Sequence, residues 1–188
     1  MTTQRRVAQP RLYDLVALLT VITIIALDQW TKSLVVSTMK EFQEIVLPGI
    51  GRYLSLQYIR NTGAAFSSFN ESPIFLTILI LVAIGVVAYL YIRMWNSGSL
   101  GYKMVFGMII GGAFGNLIDR ALRGGGVVDF IYFHIYEIGF KFAIFNVADA
   151  SISVGVFLLF LFVLFGGIQR KEAKQEPLPQ TSEQTASK

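Results

Sequence analysis

Between Ser72 and Ile92 the chain carries no charged residue, and this run restricts the possible folds more than any other feature of the sequence. A stretch of about 18 or more apolar residues, rising roughly 1.5 Å per residue as a helix, is long enough to cross a bilayer. Three comparable runs accompany it. Spans are expected at about 13–33, 72–93, 103–121 and 148–168, each close to the roughly 20 residues a hydrocarbon core requires. Composition agrees, with 54% apolar and 15% charged residues, whereas soluble domains carry about 25% charged residues. The expected fold is a membrane all-α bundle of four transmembrane helices. It forms a single domain over residues 1–170, with a disordered cytoplasmic tail at 171–188 rich in Gln, Glu, Pro, Ser and Thr. The first run lacks a small-residue cleavage site and precedes further spans, so it reads as a retained helix.

An even number of spans puts both termini on one side. Arg5, Arg6 and Arg11 before the first span, Arg93 and Lys103 in the short second loop, and Arg170, Lys171 and Lys174 after the last mark that side as cytoplasmic. Lys32, Lys40, Arg52, Arg60, Arg120, Arg123 and Lys141 are expected in the opposite loops and weaken the asymmetry. The net charge of +4 forms no basic and aromatic face, so anionic lipid head groups are expected as partners and nucleic acid is not. The absence of cysteine excludes disulfides, thiolate metal sites and a cysteine nucleophile, and one histidine is a poor basis for a zinc site.

The first outer loop places Glu44-Ile-Val-Leu and Tyr53-Leu-Ser-Leu-Gln-Tyr-Ile on either side of Pro48-Gly-Ile-Gly51, which predicts a small sheet lying on the membrane. The third loop opens with Gly124-Gly-Gly126 and continues through an aromatic stretch suited to the interface. The third span is rich in glycine, which lets neighbouring helix backbones approach closely.

Alternating helices bring five polar clusters to one membrane face: Asp28-Gln-Trp-Thr-Lys32, Asn61-Thr-Gly63-Ala-Ala-Phe-Ser67, Gly115-Asn116-Leu-Ile-Asp119-Arg120, Val127-Val-Asp129-Phe130 and Phe145-Asn146-Val-Ala-Asp149. Ionisable groups at membrane depth are expensive and mark functional sites. Carboxylates are the available chemistry there. Two aspartates sharing a proton can activate water with one member while the other donates to a carbonyl oxygen. Asp129 and Asp149 are the natural pair, and either could be the base. Plainer roles exist for each cluster. Asn146 and Asp149 have capping-box spacing, Asp28 and Lys32 the spacing of a helical ion pair, and Asp119, Arg120 and Trp30 suit interfacial anchoring. His134 suits packing among aromatics.

In this order the five clusters resemble lipoprotein signal peptidase, the signal peptidase II family, from about Asp28 to Ser153. The resemblance implies an aspartyl endopeptidase that cleaves a diacylglyceryl-modified prolipoprotein immediately before its lipidated cysteine, without metal or organic cofactor. It implies Asp129 and Asp149 as the catalytic pair, with Asp28, Lys32, Asn61, Gly63, Asn116, Arg120 and Asn146 binding substrate or supporting the site. It also implies a bacterial inner-membrane location with the active site on the extracytoplasmic face, phospholipid contacts, and sensitivity to peptide inhibitors such as globomycin. The sheet would cradle substrate, and the segment after the glycines would be a mobile lid. The alternatives are a small proton-coupled transporter, whose carboxylates should sit near the bilayer midplane, and a non-catalytic assembly subunit docking through the glycine-rich span.

Overall fold

The computed structural model describes residues 9–62, 82, 85–87, 89–92 and 99–173. In chain order its elements are α1 (Gln9–Thr38), β1 (Glu44–Val46), β2 (Leu54–Asn61), α2 (Leu100–Leu122), β3 (Val127–Ile135), a single 3-10 turn at Tyr136–Ile138, β4 (Phe140–Lys141) and α3 (Val147–Ala173). Among the described residues three helical segments are long and apolar enough to cross a membrane: Leu12–Thr38, Leu100–Leu122 and Val147–Phe165. They correspond to three of the four expected spans. Of the span expected at 72–93, residues 82, 85–87 and 89–92 are helical, and the remainder lies outside the described residues. The last helix runs to Ala173, past the expected start of the tail.

Glycine decides which helix is central. Half of the apolar window of α2 is buried, against 11% for α1 and 17% for α3, because α2 packs against both. A Cβ added at Gly112 would lie 2.5 Å from the Ala148 carbonyl oxygen of α3, and one at Gly107 2.9 Å from the Ala17 carbonyl oxygen of α1. Any side chain at these positions would push the helices apart. The outward faces of α1 and α3 carry exposed Leu15, Leu18, Ile22, Phe157 and Phe160, as expected of surfaces solvated by lipid.

The sheet is antiparallel in the order β1-β2-β3-β4. The hairpin expected around Pro48 is present, with Glu44 opposite Gln57 and Val46 opposite Ser55. The segment after the glycines differs from expectation. Val127–Ile135 is a strand, paired with β2 from Leu54↔Phe133 to Asn61↔Val127 and with β4 at His134↔Lys141. Its Val-Val-Asp-Phe-Ile-Tyr-Phe-His-Ile sequence is β-branched and aromatic, which suits a pleated, half-buried surface. Val128 and Phe130 turn inward onto Val35 and Met39 at the end of α1. Phe145 ties β3 to the start of α3, its carbonyl oxygen accepting from Phe130 N and Ile131 N at 3.1 and 2.8 Å.

The glycines between α2 and β3 make the turn that this pairing requires. Gly124 and Gly125 adopt φ of +62° and +86°, in the left-handed region that L side chains avoid. Charge positions also differ from the expected loop placement. Lys103 lies within α2, buried and ion-paired with Asp14 of α1, and Tyr91 O–H donates to the same carboxylate at 2.9 Å. Lys32 and Arg120 likewise belong to α1 and α2. These three count for less in the charge asymmetry than loop residues would.

Candidate active site

The sequence spacing of α1 and α2 builds the floor of the site. Asp28 and Lys32 are one turn apart and fully buried, with Nζ 2.8 Å from Asp28 Oδ2. The helical ion pair is therefore real, but it is not a surface pair. Lys32 Nζ also lies 3.3 Å from Asp119 Oδ2 and donates to Asn116 Oδ1 at 2.9 Å, both on α2. A buried ammonium needs this many partners, because one carboxylate alone rarely offsets its desolvation. Gly115 makes room for the hub, since a Cβ there would lie 2.6 Å from Asp28 Oδ2. Asp28 Oδ1 in turn accepts from Ala148 N at 3.0 Å, tying α1 to the first turn of α3.

Asp119 is a correction to the expected interfacial anchor. It is fully buried, accepts from Gln29 Nε2 at 2.9 Å and Val128 N at 2.9 Å, and is ion-paired with Arg123. It fixes the start of β3 against α1 and α2. The signal was available in the spacing, because Asn116, Asp119 and Arg123 fall on one helical face, as do Asp28, Gln29 and Lys32. Trp30 is 64% exposed and lies outside this network. His134 is buried with its ring between those of Tyr132 and Tyr136, as expected for an aromatic stretch.

Above the floor stand Asp129 and Asp149. Asn146 Nδ2 donates to Asp129 Oδ1 at 2.6 Å and lies 3.1 Å from Asn116 Oδ1, while Asn61 Nδ2 donates to Asp129 Oδ2 at 2.9 Å. Asn116 Nδ2 donates to Asp149 Oδ1 at 2.7 Å. The capping box is formed as well: Asp149 N donates to Asn146 Oδ1 at 2.9 Å and Asn146 N to Asp149 Oδ2 at 3.2 Å. Capping and chemistry are therefore not rival explanations of Asp149, since one oxygen serves the helix end and the other faces Asn116. An asparagine amide suits both tasks because its nitrogen and oxygen donate and accept at once.

Asp129 is 2% exposed, and burial first, then the neighbouring Asp149 charge, pushes its carboxyl up to about 7 against the pull of Asn61, Asn146 and Lys32. Near neutral pH it sits at the boundary between acid and carboxylate, the condition for passing a proton. Both aspartates open onto a cleft of about 900 Å³, lined also by Arg60, Asn61, Asn116 and Arg120 and by apolar Phe42, Tyr132, Phe142 and Val154. Arg120 lies within electrostatic reach of Asp149, Asp129 and Asp119. Of the residues singled out from sequence, Asp28, Lys32, Asn61, Asn116, Arg120, Asp129, Asn146 and Asp149 converge here. Gly63 lies outside the described residues. Among the described residues no three His, Asp or Glu side chains group in a way that could hold a metal ion.

The profile of the family described as Signal peptidase (SPase) II matches residues 20–165. The lipoprotein signal peptidase of Bacillus velezensis is 43% identical over 162 residues, covering 86% of this chain and 99% of the relative. That of Bacillus subtilis is 41% identical over 162 residues, covering 86% and 98%. A solved structure described as a bacterial membrane enzyme superposes with a TM-score of 0.70 at 29% identity, covering 87% of this chain and 94% of the other.

Proposed function

The chain belongs to the signal peptidase II family, and from that premise we propose that Asp129 and Asp149 are the catalytic pair of its reaction. It is a bacterial multi-pass membrane protein and an aspartic-type peptidase that removes signal peptides from prolipoproteins. Proton-coupled transport is not favoured.

One observation carries the assignment of the pair: Asn116 and Asn146 link both carboxylates in one cleft over a buried Lys32 hub. Burial and the Asp149 charge push Asp129 up to about 7, which suits a pair working with one protonated and one ionised member around neutrality. The protonated member donates to the scissile carbonyl oxygen while the other takes a proton from the attacking water. Asn61 and Asn146 orient Asp129, and Asn116 orients Asp149. Asp28 and Lys32 hold the floor, and Arg120 supplies positive charge beside the developing negative one. The apolar lining from Phe42, Phe142 and Val154 suits the acyl chains of a diacylglyceryl-modified cysteine, and cleavage immediately before that cysteine places the bond at the carboxylates.

We further assign four spans in a single domain, residues 171–188 as its cytoplasmic tail, both termini in the cytoplasm and the cleft on the extracytoplasmic face. Gly63 joins the substrate-binding residues. Since β3 is held in the sheet, we give the lid's role of covering the cleft to residues 136–144, supported by Phe142, Ala143 and Ile144 in its lining. Phospholipid tails and peptide inhibitors such as globomycin are the other occupants we expect.

The test incubates purified wild type, Asp129→Asn and Asp149→Asn with a diacylglyceryl-modified prolipoprotein and its unmodified precursor. Wild type should cleave only the lipidated form, and neither variant should cleave. Folded variants that cut like wild type would end the aspartyl assignment.

A further inference from the structure

The turn between α2 and β3 contains one glycine more than its backbone requires. Gly124 and Gly125 have left-handed φ values, but Gly126 does not. A side chain at Gly126 would force Arg60 to move: an added Cβ would lie 2.7 Å from Arg60 Cγ and 2.8 Å from its Nε. At Gly124 the added Cβ would lie 3.0 Å from Arg60 Nη2, which donates to the Arg123 carbonyl oxygen. The turn is thus a seat for this guanidinium.

Arg60 is unlike its neighbouring arginines. Arg52 is ion-paired with Glu137 and Arg123 with Asp119, whereas among the described residues no carboxylate ion-pairs with Arg60. It is exposed, lines the cleft, and precedes Asn61, the residue that holds Asp129. A guanidinium presents five N–H donors in a fixed fork, and the bond to the Arg123 carbonyl oxygen uses one of them.

We propose that Arg60, seated on Gly126, is a substrate-positioning residue that donates hydrogen bonds to a carbonyl oxygen of the lipidated segment bound in the cleft. The inference rests on the lipoprotein-processing reading. A diacylglyceryl-modified peptide offers two sources of that chemistry, the ester carbonyls of the lipid and the peptide carbonyls beside the scissile bond. Both are neutral acceptors, so a donor already neutralised by a carboxylate would serve them less well.

The experiment measures kcat and KM in neutral detergent for wild type, Arg60→Ala, Arg60→Lys, Gly126→Ala and the Arg60→Ala/Gly126→Ala double variant. The substrates are a diester-lipidated prolipoprotein peptide and its dialkyl-ether analogue. Losing a charge-assisted hydrogen bond that forms equally in ground and transition states should raise KM about tenfold and leave kcat nearly unchanged. Arg60→Lys should recover part of the loss, Gly126→Ala should reproduce most of it, and the double variant should be no worse than Arg60→Ala alone. An Arg60→Ala penalty that vanishes on the ether substrate assigns the contact to an ester carbonyl, and one that persists assigns it to the peptide. An unchanged KM, additive single effects, or a loss confined to kcat would overturn the proposal. So would a penalty that appears only in vesicles containing phosphatidylglycerol, which would make Arg60 a lipid head-group site. An inactive wild type would sink the peptidase reading and this inference together, whereas active wild type with indifferent Arg60→Ala sinks this inference alone.

Discussion

Asp129→Asn should stabilise the protein more at alkaline than at acidic pH, although it should abolish activity. Asp129 is 2% exposed and its carboxyl is pushed up to about 7. A group whose folded pKa is raised contributes stability below its unfolded pKa and loses it as pH rises through the folded value. Taking roughly 1.4 kcal/mol per pK unit, wild type should lose about 2–3 kcal/mol through this group between about pH 5 and pH 8. Asparagine cannot ionise and escapes that loss. The substitution has its own penalty, because Asn61 and Asn146 both donate to this carboxylate, and a new amide nitrogen must face one of them at about 1–3 kcal/mol. That penalty is the same at both pH values and cancels when the two are compared. At roughly 2–4 °C per kcal/mol for a chain of this size, the variant-minus-wild-type Tm in detergent should be about 5–10 °C larger at pH 8 than at pH 5. Intrinsic fluorescence during heating provides the measurement. A difference that is equal at the two pH values, or smaller at pH 8, would refute the raised carboxyl and the proton sharing inferred from it.

Other consequences can be checked alongside it. Lys32→Met leaves Asp28 and Asp119 buried without their shared cation and should cost about 3–5 kcal/mol, seen as a large Tm drop and loss of folded yield. Gly112→Ala forces a Cβ onto the Ala148 carbonyl oxygen and should destabilise by about 1–3 kcal/mol. Gly85→Ala meets nothing within 4 Å and should be neutral, so equal effects of the two would contradict the packing argument. Asn61→Ala removes a donor that favours the Asp129 carboxylate. It should lower the rate and move the alkaline limb of the pH–rate profile upward from about 7; a downward shift would contradict the assigned role.

The sequence alone determined the membrane class, three helices matched by the structure, the first-loop hairpin and the polar residues Asn61, Asn116, Arg120, Asp129 and Asp149 that line the cleft. These features are encoded locally, in unbroken apolar runs, in a Pro-Gly turn between strand-like segments, and in carboxylates and amides at positions where the bilayer makes them costly. Tertiary structure decided what depends on partners distant in sequence. Val127–Ile135 looked like an aromatic interfacial stretch until β2, more than sixty residues earlier, supplied its hydrogen-bonding edge. Asp119 looked like an anchor at a helix end until Gln29, Lys32 and Val128 N converged on it. Lys103 counted as a loop charge until Asp14 neutralised it. The same limit applies to the site: the sequence supplied two aspartates, but the Asn116 and Asn146 amides that join them come from different helix ends. A carboxyl near 7 exists only because folding removes water from Asp129 and brings the charge of Asp149 beside it.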